Sequence, residues 1–418
     1  MTAPPSFASL GLGASLVRAT AELGWEAPTP VQARVVPAAL AGGDVWAQAP
    51  TGSGKTASFV LPLLERLAAG PARSTRDVSA LILAPTRELA AQIGEVVEAL
   101  SRSLERRLVT RVVFGGVSIN PQMMALRGGA DVVIATPGRL LDLSSKNAVA
   151  LGRVSTLILD EADRLLDQGF ADELDAILAL VPSRRQTLLF SATLPSGVEG
   201  LARAALRDPT RVDVRPVAED APDIRQRAIA VDAPRRTQLL RHLLESEPSP
   251  SVLVFVATTY ATEHVARKLR GLGVPAAALH GKRSQGARTQ ALADFQRGKV
   301  RVLVATDVAA RGLDVSGLSM VVNYDLPRAA ADYLHRIGRT GRAGATGVAV
   351  SFVTAEARAH FRLIQRRHGL DLPREVVPGF EPTQDEVVVT STDGTGGVKG
   401  RRKSKKDKLR EAAARERE

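Results

Sequence analysis

No cysteine occurs among the 418 residues, which excludes disulfides, iron–sulfur clusters and thiolate zinc sites. No apolar run approaches the ~18 residues of a membrane span, and the first residues lack the basic-then-apolar order of a signal peptide. The cytoplasm is therefore the expected location. Acidic residues are outnumbered, 44 Asp and Glu against 56 Lys and Arg, leaving a net charge of +12. That excess points to a polyanionic partner, although charge alone does not separate a nucleic acid from a membrane surface. Ten basic against four acidic side chains from Lys399 to Glu418 carry half of it. What is present is apolar material, 44% of the chain, enough at this length for a core in each of two or three domains.

Two stretches carry polyphosphate chemistry. In the first, an apolar strand from Val302 to Ala305 runs into Thr306-Asp307-Val308-Ala309-Ala310-Arg311-Gly312-Leu313-Asp314, and His335-Arg336-Ile337-Gly338-Arg339-Thr340-Gly341-Arg342 follows. Guanidinium groups are permanently charged and pair with phosphate in a fixed fork, and the interleaved glycines free the backbone around them. The second stretch, Ala49-Pro50-Thr51-Gly52-Ser53-Gly54-Lys55-Thr56, lies between a short strand and a helical pattern through Leu67, the context a P-loop requires. Backbone N–H groups and the helix N-terminus suit phosphates, Lys55 reaches the terminal ones, and the Thr56 hydroxyl can ligate magnesium. Ala49 stands where the pattern usually has its first glycine.

Upstream, Leu10, Leu16, Val17 and Leu23 share one side of a helical pattern that breaks at Gly24 to Gln32. Phe7, Trp25 and Gln32 are either a packed aromatic pair beside a surface amide or, this close to a P-loop, a set that reads adenine. An amide offers both donor and acceptor to the base edge while a ring supports its face.

From Ala80 onward, apolar runs of strand length (Leu81 to Ala84, Val112 to Phe114, Val132 to Ala135, Leu157 to Leu159, Thr187 to Phe190) alternate with helical segments such as Arg87 to Leu100. The alternation predicts a parallel sheet covered on both faces, with ligand groups just beyond the C-terminal strand ends. There the unusual residues fall: Pro85-Thr86-Arg87-Glu88, Gly115-Gly116, Thr136-Pro137-Gly138-Arg139, Asp160-Glu161-Ala162-Asp163 and Ser191-Ala192-Thr193. Asp160 sits where a carboxylate would hold magnesium and Glu161 where one would orient or deprotonate water; the plainer reading is a pair of acids favoured by a helix dipole. After Val214 the pattern dissolves into a proline-containing acidic linker, 216–223, and a second strand–helix series begins near Ile224. Beyond Ile364 it weakens, and Lys399 to Lys408 is a charge run of the disordered, polyanion-seeking kind.

Eight segments, Gly24 to Gln32, Ala49 to Thr56, Pro85 to Ala90, Thr136 to Arg139, Asp160 to Asp163, Ser191 to Thr193, Thr306 to Asp314 and His335 to Arg342, stand in the order and at the spacing of one family. Over residues 7–365 the chain resembles the DEAD-box ATP-dependent RNA helicases, with the look of their bacterial RhlE-like members. The resemblance implies an α/β fold of two tandem RecA-like parallel-sheet domains, 1–215 and 224–370, followed by a disordered basic tail, 371–418.

It also implies roles. Phe7, Trp25 and Gln32 would recognise adenine, and Thr51, Gly52, Ser53, Gly54, Lys55 and Thr56 the phosphates of ATP, with Thr56 and Asp160 on Mg2+. Asp314 would contact the ribose, Glu161 the attacking water, and Arg339 and Arg342 would be arginine fingers. Asp163, Ser191, Thr193 and His335 would couple hydrolysis to RNA. Arg87, Gly116, Thr136, Arg139, Gln285, Arg288 and Thr306 would line the RNA path, holding phosphates and sugars of single strands or short duplexes without reading sequence. The implied protein is a monomer, away from membranes, serving ribosomal or RNA-decay assemblies. Two rivals are an ATP-gated RNA clamp that does not unwind and a DNA-directed translocase on the same two-domain plan.

Overall fold

The computed structural model describes residues 5–50, 52–70, 77–214, 223–247, 249–310, 318–330, 332–341 and 346–383. Thr51, Asp314, Arg342 and the tail beyond residue 383 lie outside them. Fourteen strands among these residues form two seven-stranded sheets. The first comprises β1 (Val45–Gln48), β2 (Val78–Leu83), β3 (Thr110–Val113), β4 (Ala130–Ala135), β5 (Thr156–Leu159), β6 (Gln186–Ser191) and β7 (Thr210–Asp213), in the order β3-β4-β2-β5-β6-β1-β7. The second comprises β8 (Ile224–Ala230), β9 (Val252–Phe255), β10 (Ala276–Leu279), β11 (Val302–Ala305), β12 (Met320–Asn323), β13 (Gly347–Val353) and β14 (Arg374–Glu375), ordered β10-β11-β9-β12-β13-β8-β14. Pairing is parallel throughout.

Parallel strands must be joined by crossovers, and the helices that make them cover both faces, so the central strands β5, β6, β9 and β12 bury every side chain. On one face of the first sheet, Ala47, Ile82, Ile158 and Phe190 pack under the helices Pro30–Leu40, Lys55–Ala69 and Arg87–Ser101. On the other, Leu81, Val133, Leu157 and Leu189 form a second core. Phe190 is fully buried with its ring centroid 5.1 Å from that of Phe59. Phe190→Ala is expected to cost this domain about 3–5 kcal/mol, read from its chemical unfolding midpoint.

Register aligns the strand ends. Gln48 is level with Ser191, Leu159 with Leu189, and Leu83 with both Leu159 and Ala135. The loops after β1, β2, β4, β5 and β6 therefore leave one edge together, and β6 between β1 and β5 brings Ser191 to Thr193 between the P-loop and Asp160.

Two segments differ from the sequence expectation. The opening pattern is not one helix: a 3-10 turn, Ala8–Leu10, and the helix Ala14–Glu22 are separated at Gly11, whose φ of 88° a continuous helix does not allow, and Leu23 is left 41% exposed. The second domain also continues past residue 370. β14 pairs with β8, Phe380 packs on His242 and under Arg235, and Thr383 donates its N–H and hydroxyl to buried Asp232 at 2.9 and 2.7 Å. Those partners are more than a hundred residues upstream, so local composition could not announce them.

Candidate functional site

The P-loop turns on Gly54, whose φ of 89° and ψ of 21° are left-handed and whose Cβ, if it had one, would meet the Gln32 amide at 2.5 Å. As a glycine N-cap it brings no side chain to the first N–H groups of the helix Lys55–Ala69, which suits an anion there. The Lys55 ammonium is buried and donates to the carbonyls of Ala49 and Pro50 at 2.8 and 2.9 Å, and Ser53 donates to Pro50. Burial pushes its pKa down, while Asp160, Glu161 and Asp163 act against that shift. Lys55 is thus folded onto its own loop, and phosphates must draw it off those carbonyls.

Gln32 is held on both sides. Its carbonyl accepts from Thr29 N at 3.0 Å within a capping box, and its amide donates to Gly54 O at 3.2 Å. The residue expected at adenine therefore also braces the P-loop. Phe7 is buried, and its ring lies 6.4 Å from Trp25.

Asp160 and Glu161 directly follow β5, beside this loop. Burial first, and Glu161 second, push the Asp160 carboxyl up to about 7, against the pull of Lys55. A buried carboxylate in that setting gains from a cation. One such group with the Thr56 hydroxyl fits Mg2+, which takes few protein oxygens and completes its shell with phosphates and water; no cluster of three or more His, Asp or Glu ligands occurs among the described residues. Glu161 has φ 50° and ψ 54°, left-handed geometry that a non-glycine residue adopts at a cost. The turn aims a second carboxylate at the same edge. Asp163 accepts from Thr193 N and Oγ1 at 3.0 and 2.8 Å, and Ser191 Oγ donates to Thr193 O at 2.5 Å.

Two contacts cross to the second domain. Arg164, 6% exposed, places Nη1 3.4 Å from Glu161 Oε2 and Nη2 3.3 Å from His335 Nδ1. Burial first, then the Arg164 charge, push the His335 pKa down, so the ring accepts from Arg164 as neutral imidazole. The second contact joins Arg288 Nη2 to Glu88 Oε1 at 2.5 Å, with Arg288 buried and the Glu88 side chain 11% exposed. Arg164 and Glu88 had no role assigned from sequence. The available signal was a cation directly after Asp163 and an acid directly after Arg87, and its meaning depended on residues in another domain.

Of the remaining expected RNA residues, Arg87, Gly116, Thr136 and Arg139 gather near the Glu88 contact. Arg87 opens the helix Arg87–Ser101 beside the charges of Arg288 and Arg139, and burial first, then Arg288, push its pKa down. Gly116, at φ 73°, sits so close to the Arg87 guanidinium that a Cβ would collide with it. Gly116→Ala is expected to displace Arg87 and cost about 1–2 kcal/mol of backbone strain, seen as weaker RNA binding with a small thermal shift. Thr136 Oγ1 accepts from Gly115 N at 3.3 Å, and Arg139 donates to Val117 O at 2.7 Å. Arg139 Nε and Nη1, Arg288 Nε and Gln285 Oε1 are buried without a hydrogen-bond partner, an arrangement that suits an incoming sugar-phosphate strand. Thr306 directly follows β11 and is half-buried.

Arg336, also unassigned from sequence, anchors the His335–Gly341 segment. It clasps Asp307 with two bonds of 2.6 and 2.7 Å, donates to Asn323 Oδ1 and Asp325 O, and lies over Phe255. Arg339 follows in the next turn, 8% exposed.

Two RecA-like sheets with a P-loop on one and an arginine-rich segment of the other reaching toward it define a two-domain nucleotide-driven motor. The chain belongs to the DEAD-box family of ATP-dependent RNA helicases. The DEAD/DEAH box helicase family matches residues 29–201, and the helicase conserved C-terminal domain matches residues 235–344. The ATP-dependent rRNA helicase rrp3 of Aspergillus terreus is 43% identical over 389 residues, 93% of this chain and 85% of that protein. The DEAD-box ATP-dependent RNA helicase CshA of Bacillus subtilis is 38% identical over 383 residues, 92% and 76% of the two chains. Among solved structures, S. cerevisiae Dbp5 bound to RNA and ADP BeF3 superposes with a TM-score of 0.78 at 31% identity, covering 89% of this chain and 95% of that one.

Proposed function

We propose that this ATP-dependent RNA helicase separates short RNA duplexes locally, by closing its two domains over one strand and reopening after hydrolysis. The observation that carries the reading is the pair of cross-domain contacts, one behind the nucleotide edge through Arg164 and His335 and one on the RNA side through Glu88 and Arg288. A ligand that favours the joined arrangement at either place favours it at the other, which is the energetic content of coupling.

In this mechanism Gln32, supported by Phe7 and Trp25, selects adenine, and Asp314 holds the ribose. The backbone from Thr51 to Thr56 receives the phosphates as Lys55 leaves the Ala49 and Pro50 carbonyls. Thr56 and Asp160 would hold Mg2+, which would supply positive charge to the phosphates. Glu161 orients the attacking water, and Arg339 and Arg342 meet the charge that develops on the transferred phosphoryl group. Asp163, Ser191, Thr193 and His335 carry the state of that site to Arg87, Gly116, Thr136, Arg139, Gln285, Arg288 and Thr306. A helix of the first domain then obstructs one strand of a straight duplex, and the bent strand loses its partner. The protein works as a cytoplasmic monomer, away from membranes, and the name of its Aspergillus relative makes ribosomal RNA the first substrate to try, with RNA-decay assemblies next.

The test is release of a labelled strand from a short RNA duplex, run alongside ATP turnover with RNA or with DNA of the same sequence. ATP-dependent release with RNA-specific stimulation is expected. RNA-stimulated turnover without release would instead indicate a clamp, and equal stimulation by DNA a translocase. The tail after Gly397 adds affinity without sequence choice, since eight of the twelve residues from Lys399 to Arg410 are basic and none is aromatic. Truncation there is expected to weaken binding of unrelated single-stranded RNAs by similar factors and to lower the salt slope by about 0.7 per phosphate contact removed. An unchanged slope, measured as affinity against salt concentration, would reduce the tail to a solubiliser.

A further inference from the structure

The outer face of the helix Thr259–Gly271 carries chemistry that none of the eight motifs uses. The chain has three tyrosines; Tyr324 and Tyr333 are buried at 7% and 0% exposure, whereas Tyr260 is 73% exposed. Its ring is stacked on that of His264, with centroids 5.6 Å apart and planes 19° apart. Arg267 in turn donates from Nη2 to His264 Nδ1 at 3.3 Å. The spacing i, i+4, i+7 sets phenol, imidazole and guanidinium in a row along one side of the helix.

This row is joined to the second domain's share of the RNA path. Glu263, next to His264, accepts from Arg283 at 2.7 and 3.2 Å and lies 2.9 Å from His280 Nε2, which ties the helix to the loop preceding the helix Gln285–Gln296. The same loop carries exposed Lys282, and Gln285 and Arg288 follow it. The helix also begins just beyond the C-terminal end of β9, on the edge of the sheet that bears Thr306 and Asp307. Glu263 is the only carboxylate between Thr259 and Gly271, and it is engaged; Arg267, Lys268 and Arg270 are cationic.

We propose that Tyr260 and His264, with Arg267, form a stacking platform for single-stranded RNA beyond the end of the path. The inference rests on the RNA path assigned above. An unpaired base can lay its face on the exposed phenol ring, and Arg267 can take the adjoining phosphate. Every base has such a face, so the platform extends the footprint without selecting sequence, and the positive charge around it matches RNA better than an uncharged partner.

The test compares the affinities of the full chain for a short oligonucleotide that fills the path, a longer one that overhangs it, and the longer one with abasic sites in the overhang. Tyr260→Leu is expected to bind the long RNA about fivefold or more weakly, the low end of base–aromatic stacking, and the short one as the wild type does. Tyr260→Phe should keep the long-RNA affinity. The abasic RNA should bind the wild type as weakly as the intact long RNA binds Tyr260→Leu. Arg87→Ala serves as the control for the path and should weaken both intact RNAs. If Arg87→Ala is impaired while Tyr260→Leu holds the long RNA normally, or loses both RNAs equally, the platform is overturned. A loss in Tyr260→Leu with no abasic effect in the wild type would also overturn it, by showing a backbone contact. Normal binding by Arg87→Ala would refute the path itself, a separate result.

Discussion

Arg339→Ala is expected to lower RNA-stimulated ATP turnover by about a thousandfold or more, the scale of an arginine finger in other phosphoryl-transfer sites. The expectation rests on where the side chain is anchored. Arg336 is fixed to Asp307 and Asn323 at the ends of β11 and β12, His335 meets Arg164 of the first domain, and Arg339 is buried one turn further along the same segment. A guanidinium held on one domain for chemistry on the other contributes only when the two are joined. ATP affinity without RNA should therefore change little, while turnover with saturating RNA collapses. Arg339→Lys should not rescue, because an ammonium cannot reproduce the planar fork. Steady-state turnover against RNA concentration is the measurement, and a loss of less than about tenfold would remove Arg339 from the transition state.

Glu161→Gln is expected to reduce turnover by about 100-fold or more while nucleotide and RNA binding survive. The amide keeps the size of the side chain and the left-handed turn that aims it, but it is no longer a carboxylate base. Its neighbour is Arg164, 3.4 Å away, which also touches His335. The variant should accordingly hold RNA longer in the presence of ATP, since the joined state forms and hydrolysis does not dissolve it. RNA dissociation after a competitor chase, paired with single-turnover hydrolysis, tests both halves. Turnover within about threefold of wild type would show that Glu161 is not the base.

The chemistry that lies in short contiguous runs was readable in advance. A P-loop works through its own backbone and the next helix, so Ala49 to Thr56 declare it locally, and a strand–acid–acid run such as Leu159-Asp160-Glu161 declares a carboxylate at a sheet edge. Apolar runs alternating with helical periods likewise predicted parallel sheets, because strands buried on both faces must be apolar at nearly every position. Gln32 was legible as an amide just upstream of the P-loop. Its second task, bracing Gly54, was not, because nothing in a one-dimensional pattern shows that two loops meet.

By itself, then, the sequence determined two parallel α/β domains, a P-loop motif on the first, an arginine-rich segment on the second, and a family. Only the tertiary structure decided that Arg164 stands between Glu161 and His335, that Glu88 faces Arg288, that Gly116 makes room for Arg87, and that the segment to Thr383 is clasped by Asp232. The physical reason is the range of the interaction. Strand, turn and helix preferences and backbone phosphate cradles are set by neighbours along the chain, whereas a buried ion pair or hydrogen bond between distant residues exists only once the folded sheets bring both partners out of water to the same place.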